Sequence, residues 1–94
     1  RGFAERLQAL PPEEELRTRA ERGEDPEALH GLAMYQAARG EYAEAMDNLL
    51  AVVRRHRAWD DGKGRTSLLE MFDLLGPDHP LARSYRQKLF QMLY

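Results

Sequence analysis

Residues 42–53, YAEAMDNLLAVV, carry the clearest structural signal in this 94-residue chain. Their apolar side chains recur at i, i+3, i+4, i+7, i+8 and i+11, which is the spacing of one buried face of an α-helix. The members of this stripe are Tyr42, Ala45, Met46, Leu49, Leu50 and Val53. Polar residues such as Glu44 and Asp47 fall mainly on the opposite face. The stretch therefore predicts an amphipathic helix that packs on a core.

A second helix is predicted immediately before it, from Pro26 to Arg39. Asp25 supplies a side-chain acceptor for the unpaired N–H groups of the first turn, and Pro26 suits the first helical position. Gly40 ends the helix, because glycine readily adopts the left-handed conformation common after helix C-termini. Two helices joined by so short a turn are expected to pack as an antiparallel hairpin.

The second half of the chain has the same organisation. Residues 65–75 predict a helix, with Asp60 or Asp61 as its cap and Gly76-Pro77 at its end. Pro80 begins a final helix. The residues expected to face inward are Leu68, Leu69, Met71, Phe72 and Leu75 in the first helix, and Leu81, Tyr85, Leu89, Met92 and Leu93 in the second.

The N-terminal quarter predicts two further short helices. Residues 3–10 form the first, which Pro11-Pro12 interrupts. Pro12 begins the second, whose first turn contains residues 13–15, three glutamates that the helix dipole favours there. Helices separated by loops of about two to five residues pack as antiparallel neighbours, so the sequence predicts an all-α fold.

The two hairpins are repeats of one another. A shift of 36 residues superposes Asp25 on Asp61, Leu32 on Leu68, Ala33 on Leu69, Gln36 on Phe72 and Gly40 on Gly76. The second helices need a shift of 39, which places Tyr42 on Leu81, Ala45 on Ser84, Met46 on Tyr85 and Leu50 on Leu89. The prediction is antiparallel helical hairpins stacked as a short superhelix in a single domain, 1–94. It contains an N-terminal helix pair (1–22), a clear repeat (25–58) and a degenerate repeat (60–94).

Composition and charge exclude several classes of function. The chain has no cysteine, which excludes disulfides, thiolate metal sites and thiol catalysis. Its net charge of −2 gives no reason to expect nucleic acid or an anionic membrane as a partner. The longest apolar run, residues 49–53, is far shorter than the roughly 18 residues of a membrane span. The start at Arg1, without an initiator Met, suggests a piece of a longer protein.

No set of residues predicts chemistry. The histidines, His30, His56 and His79, lie far apart in sequence, so neither a metal site nor a cofactor is expected, and no catalytic residue is identified. Gly62-Lys63-Gly64 lacks the preceding strand and the spacing of a phosphate-binding loop. The basic run at residues 54–57 has two interpretations, a helix C-terminus or a contact for phosphate or an acidic partner, and the helix end is favoured. The sequence therefore predicts a binding module and not an enzyme.

Several residues of the first hairpin resemble a tetratricopeptide repeat: Leu32-Ala33, residues 40–45, Leu49 and Val52. The chain departs from that motif at Leu29, Gln36 and Arg57, where Trp, an aromatic residue and Pro are usual. The resemblance implies that the first helix of each hairpin lines a concave face that binds other proteins.

A narrower resemblance covers residues 25–94. The blocks 40–47, 49–61, 68–81 and 85–89 are similar to the C-terminal tetratricopeptide domain of bacterial thioredoxin-like co-chaperones, the chaperedoxin group. The resemblance implies a preceding thioredoxin-fold domain, a cytoplasmic location, and binding of chaperonin and unfolded client proteins. Gly62-Lys63-Gly64 departs from the family, which usually has stronger helix formers there.

The candidate partner-binding residues follow from this geometry and from the shift of 36. They are the off-core positions of the first helix in each hairpin: Glu27, His30, Met34, Ala37, Lys63, Thr66, Glu70 and Asp73. Their mixed charge disfavours a clamp for C-terminal carboxylates, because no basic cluster is present among them. The alternative is a structural or self-association module, because a short array leaves apolar end surfaces; Phe3, Phe90 and Tyr94 are expected to be partly exposed, giving a weak homo-oligomer.

Overall fold

The computed structural model describes residues 7–93, which form five α-helices and no strand. The helices are α1 (Glu13–Ala20), α2 (Pro26–Ala38), α3 (Tyr42–Arg55), α4 (Lys63–Leu75) and α5 (Pro80–Leu93). A 3₁₀ turn at Trp59–Asp61 connects α3 to α4. The all-α prediction is confirmed. Residues 3–6 of the first predicted helix, together with Phe3 and Tyr94 as expected exposed aromatics, lie outside the described residues.

Each helix packs on its neighbour in the chain. The pairs α2–α3 and α4–α5 are the two antiparallel hairpins, and α5 also contacts α3 across the stack. The main core lies between the hairpins, where Met46 and Leu49 of α3 meet Leu68 and Met71 of α4 and Leu89 of α5. A smaller core joins α1 to α2 and α3 around Leu16, Leu29 and Val52. The hairpins thus stack in sequence order.

The helix α2 is buried on almost every side. Nine of its residues are buried: Ala28, Leu29, His30, Gly31, Leu32, Ala33, Met34, Gln36 and Ala37. The sequence predicted Met34 as an off-core position, and this is wrong, because Met34 belongs to the main core and is 1% exposed. The physical reason is that α2 lies between α1 and α3, while Leu7 and Leu10 pack against the same core.

Two glycines allow helices to approach closely. A Cβ on Gly64 would lie 2.7 Å from Cγ1 and 3.0 Å from Cβ of Val52, so α4 packs directly on α3 there. A Cβ on Gly31 would lie 2.8 Å from Cδ1 of Leu16, at the contact of α2 with α1. At Gly64, the departure of Gly62-Lys63-Gly64 from the family pattern therefore has a packing explanation.

The two hairpins begin differently. Asp25 caps α2 as expected, accepting a hydrogen bond from the Ala28 N–H at 3.0 Å. The expected cap of α4 is wrong, because the residue before α4 is Gly62, which has no side chain to accept a bond. Asp60 and Asp61 instead adopt left-handed backbone conformations in the 3₁₀ turn, with φ of 48° and 61°.

The basic run after α3 joins separate parts of the stack. The Arg55 guanidinium donates to the Arg22 carbonyl at 2.9 Å, and His56 Nε2 lies 2.9 Å from the Gly23 carbonyl. Arg57 donates to the Met92 carbonyl at 2.9 Å, near the C-terminal end of α5. These contacts support the helix-end interpretation and extend it, because the run also holds the α1–α2 loop and the end of α5.

Candidate protein-binding groove

A groove of about 420 Å³ lies between α2 and α4, the first helices of the two hairpins. His30 and Met34 line it from α2, and Lys63, Thr66, Ser67 and Glu70 line it from α4. Ala9 and Leu10 close one side. We call this set of eight residues the α2–α4 groove. Its volume falls within the range of roughly 300–1,000 Å³ that is common for ligand pockets.

The base of the α2–α4 groove has an apolar part and a polar part. Met34 lies under the apolar part, where it is 1% exposed and belongs to the main core, so its thioether closes the bottom of the groove. Beside it, His30 Nε2 lies 2.7 Å from the Ser67 hydroxyl. The His30 ring also packs on Trp59, with 5.5 Å between the ring centroids. Both polar groups are buried and satisfied, so this pair fixes the position of α4 relative to α2.

The rim of the α2–α4 groove is polar and mixed in charge. Lys63 is half exposed, and its ammonium lies 3.4 Å from the Asp60 carboxylate. Exposed ion pairs of this kind contribute little, so the ammonium can exchange partners at low cost. The Thr66 hydroxyl donates to the Gly62 carbonyl at 3.2 Å, and Glu70 supplies an acidic group further along α4. Among the described lining residues, Lys63 is the one Lys or Arg, which argues against a clamp for carboxylates.

A second groove, of about 550 Å³, lies on the opposite flank of α4, towards α5. It is lined by Thr66, Leu69, Glu70, Phe72, Asp73, Pro77 and Arg86. The Arg86 guanidinium sits over the Phe72 ring, 5.6 Å from its centroid. We call this the α4–α5 groove. It shares Thr66 and Glu70 with the α2–α4 groove, so these two residues of α4 separate the two grooves.

The structure distributes the eight candidate residues unevenly. His30, Met34, Lys63, Thr66 and Glu70 all line the α2–α4 groove. Asp73 lines the α4–α5 groove instead. Glu27 lies away from both, where it accepts a hydrogen bond from Arg19 at 3.0 Å. Ala37 is buried in the main core and is not accessible to a partner, because α3 covers that side of α2.

Sequence reasoning missed several lining residues. Ser67 occupies an inward position of α4 and gave no signal, since only the fold places it against His30. Leu10 belongs to the N-terminal segment, whose position against α2 is a long-range contact. Leu69 was expected to face the core and instead is 43% exposed on the α4–α5 groove, where no described helix covers it. A pattern of apolar spacing marks a potential contact face and does not say which faces are covered.

Neither a metal-binding cluster nor a membrane-spanning helix occurs among the described residues. Within residues 7–93 no group of three or more His, Asp or Glu side chains is arranged to hold a metal ion. None of the helices in that range is both long enough and apolar enough to cross a membrane. The Ser67 hydroxyl is buried in the middle of α4, where it joins two helices.

These observations define a class of protein: an array of antiparallel helical hairpins that presents a groove between the first helices of successive hairpins. Within that class the chain belongs to the tetratricopeptide repeat family, whose model matches residues 6–94. Tetratricopeptide repeats generally mediate protein–protein interaction and are typically non-catalytic, so this is a protein-binding domain. Comparison with characterised proteins and with solved structures gave no match.

Proposed function

We propose that this domain is the protein-binding part of a cytoplasmic, bacterial thioredoxin-related co-chaperone, and that it holds unfolded client segments in the α2–α4 groove for transfer to the chaperonin. The observation that carries the groove is its lining: the partly buried Leu10 provides apolar contact above the buried Met34, and Lys63, Thr66 and Glu70 provide a polar rim. An extended chain with one apolar side chain matches such a surface.

The co-chaperone part of the proposal is supported by the sequence blocks at 40–61, 68–81 and 85–89, which resemble that group. The groove is compatible with varied clients for a physical reason. Its rim carries one ammonium, one hydroxyl and one carboxylate, and a rim of mixed charge selects no particular charge in a client. A site for one defined peptide would instead hold fixed, convergent charged groups.

The test uses two exposed threonines in matched settings. Thr66 lines the α2–α4 groove, and its hydroxyl donates to the carbonyl four residues earlier at 3.2 Å. Thr18 makes the same bond on α1, at 3.1 Å, outside that groove. Thr66→Arg places a long cation across the groove, whereas Thr18→Arg makes the same chemical change elsewhere.

The probes are fluorescently labelled, reduced and carboxymethylated α-lactalbumin as a permanently unfolded client, and purified bacterial chaperonin. By fluorescence anisotropy we expect Thr66→Arg to weaken client binding at least about tenfold, the loss expected when a central contact of an interface is removed. We expect Thr18→Arg to bind like the parent. If both substitutions change client affinity equally, the α2–α4 groove is not the client site. A parent that binds neither probe would refute the co-chaperone function.

A further inference from the structure

The outer face of α4, which lies apart from the core, carries an exposed apolar residue between two opposite charges. Arg65, Leu69 and Asp73 are spaced four residues apart, so they form one ridge along the helix. Arg65 and Asp73 are exposed, and Leu69 is 43% exposed. We call these three residues the α4 ridge.

This face lies at the end of the described stack of helices, and it is not uniformly polar. Terminal repeats of helical arrays need a polar outer face to stay soluble on their own. Here Leu69 borders the α4–α5 groove, whose floor includes the Phe72 ring, and Phe90 on α5 is 53% exposed. The combination of an exposed leucine, an aromatic floor and a groove of about 550 Å³ is typical of a face that another helix covers.

The charges on the α4 ridge point to what covers it. Some exposed charges form ion pairs within the chain, such as Arg17 with Glu13 and Lys63 with Asp60. Arg65 and Asp73 are among the exposed charges of residues 7–93 that form no such pair, so both are available to a partner. They also lie at equal distances in sequence on either side of Leu69.

That symmetry makes the α4 ridge complementary to itself. If a second copy of α4 lies antiparallel on the first, with a two-fold axis passing near Leu69, the two Leu69 side chains meet at the axis. Arg65 of each copy then faces Asp73 of the other, which gives two opposite-charge pairs. Such mutual pairing is the property of an isologous two-fold interface. A parallel arrangement would bring like charges together and is disfavoured.

We propose that two copies of this chain associate through the α4 ridge in this antiparallel arrangement. The surface lies on the flank of α4 opposite the helix α2, so association goes beyond client binding. One helix face per copy is smaller than the roughly 800 Å² per partner of a stable complex, and we therefore expect a weak dimer with a Kd of about 10–100 μM.

The decisive experiment exchanges the charges. Arg65→Asp places two like-charged pairs across the axis, and so does Asp73→Arg, because each residue occurs twice in a symmetric dimer. Each variant alone is expected to remain monomeric in sedimentation velocity up to about 1 mM, at least about tenfold above the parent Kd. An equimolar mixture of the two variants restores opposite charges at both pairs, and it is expected to form a heterodimer about as tight as the parent dimer.

A matched pair of leucines tests the centre of the interface. Leu69 and Leu74 both lie on α4 and are both exposed, at 43% and 57%, but Leu74 is off the ridge. Leu69→Ser is expected to raise the Kd at least about tenfold, and Leu74→Ser to leave it unchanged. Circular dichroism of both variants confirms that α4 stays folded.

Each other outcome overturns the proposal. A parent that stays monomeric to about 1 mM shows that a further segment of chain, a different protein or water covers the ridge. A dimer insensitive to Leu69→Ser uses another surface. A dimer that Leu69→Ser weakens, but that the mixed charge variants do not restore, has a different arrangement of its helices.

Discussion

The two hairpins of this domain have the same helical pattern and very different surroundings. Ala33 in α2 and Leu69 in α4 occupy equivalent positions of the repeat, yet Ala33 is fully buried and Leu69 is 43% exposed. Leu32 and Leu68, one residue earlier, are both buried. The difference arises because α2 is packed between α1 and α3, whereas α4 has the stack on one side and none of the described helices beyond the α4–α5 groove. The place in the stack, and not hydrophobicity, decides the exposure.

Gln36 and Phe72 also occupy equivalent positions of the repeat, and the two hairpins surround this position with different chemistry. Gln36 is buried and accepts a hydrogen bond from the Asn48 amide at 2.8 Å. Phe72, its counterpart, is buried under the Arg86 guanidinium, 5.6 Å from its centroid. In the first hairpin a partly buried polar pair joins α2 to α3, while in the second an aromatic ring forms the floor of an open groove. The second hairpin is therefore the one that leaves an open groove beside this position.

The largest expected effect separates two adjacent leucines of α4. Leu68→Ala removes a fully buried side chain from the main core, and we expect it to lower the free energy of unfolding by about 2–5 kcal/mol. Leu69→Ala at dilute, monomeric concentration removes a half-exposed side chain and is expected to cost less than about 1 kcal/mol. Urea unfolding followed by circular dichroism measures both. Similar losses for the two variants would contradict the exposure of Leu69.

A smaller effect is expected where equivalent positions of the second helices differ. Ala45 is fully buried against the core, whereas Ser84, its counterpart in α5, is exposed. Ala45→Leu overpacks a closed contact and is expected to destabilise by about 1–3 kcal/mol. Ser84→Leu is expected to change stability by less than about 0.5 kcal/mol. Thermal melts compare the two, and an Ala45→Leu variant as stable as the parent would show that the hairpin register is wrong.

The next effect is on the pH dependence of stability. Tyr85 of the second hairpin has a titratable hydroxyl, whereas its counterpart Met46 in the first hairpin has none. Burial raises the pKa of Tyr85 to about 12, and the hydrogen bond that its hydroxyl donates to Asp47, at 2.8 Å, acts in the same direction. The folded state thus favours the neutral phenol. The stability that this preference contributes is fully present below the ordinary tyrosine pKa of about 10, and it is lost as the pH rises towards 12.

We therefore expect stability to fall by on the order of 1–2 kcal/mol between about pH 10 and 12, beyond what other groups contribute. Tyr85→Phe removes the titrating hydroxyl and is the control. Urea unfolding of both proteins at successive pH values measures the difference. If the parent and Tyr85→Phe lose stability equally over this range, the phenol is not the group responsible.

The smallest expected effect compares the starts of the first helices. Asp25 caps α2 and also accepts a hydrogen bond from the Arg19 guanidinium at 2.9 Å. Burial alone would raise the pKa of this carboxyl, but the hydrogen bonds from Arg19 and the Ala28 N–H outweigh it and lower the pKa. Stability from Asp25 is therefore present above its ordinary pKa and is lost as the pH falls below it.

Asp25→Ala is expected to cost about 1 kcal/mol near neutral pH, the usual loss of an N-cap. Asp61, the equivalent residue by the shift of 36, caps nothing and has a left-handed backbone. Asp61→Gly is expected to be neutral or slightly stabilising, because glycine adopts that conformation without steric cost. Equal destabilisation by the two substitutions in urea unfolding would mean that Asp61 does cap α4.

The first hairpin was predictable because its signals are local. Asp25, Pro26 and Gly40 mark the ends of α2, and the stripe from Tyr42 to Val53 marks the inner face of α3. The groove was predictable in part, since the repeat shift brought Lys63, Thr66 and Glu70 to the side of α4 that faces α2. The burial of Met34 and the contact of His30 with Ser67 were not, because they depend on how α1, the 7–10 segment and α4 meet α2.

By itself, the sequence determined the helices and their pairing into two hairpins, since helix ends and apolar spacing act over only a few residues. The repeat of these hairpins also placed the chain in a family of protein-binding arrays. Only the tertiary structure decided which apolar residues are covered and which of the expected groove residues meet. It also decided that none of the described helices covers the α4 ridge. Burial is a property of the packed neighbours of a residue, and those neighbours are set by the stacking of helices far apart in the chain.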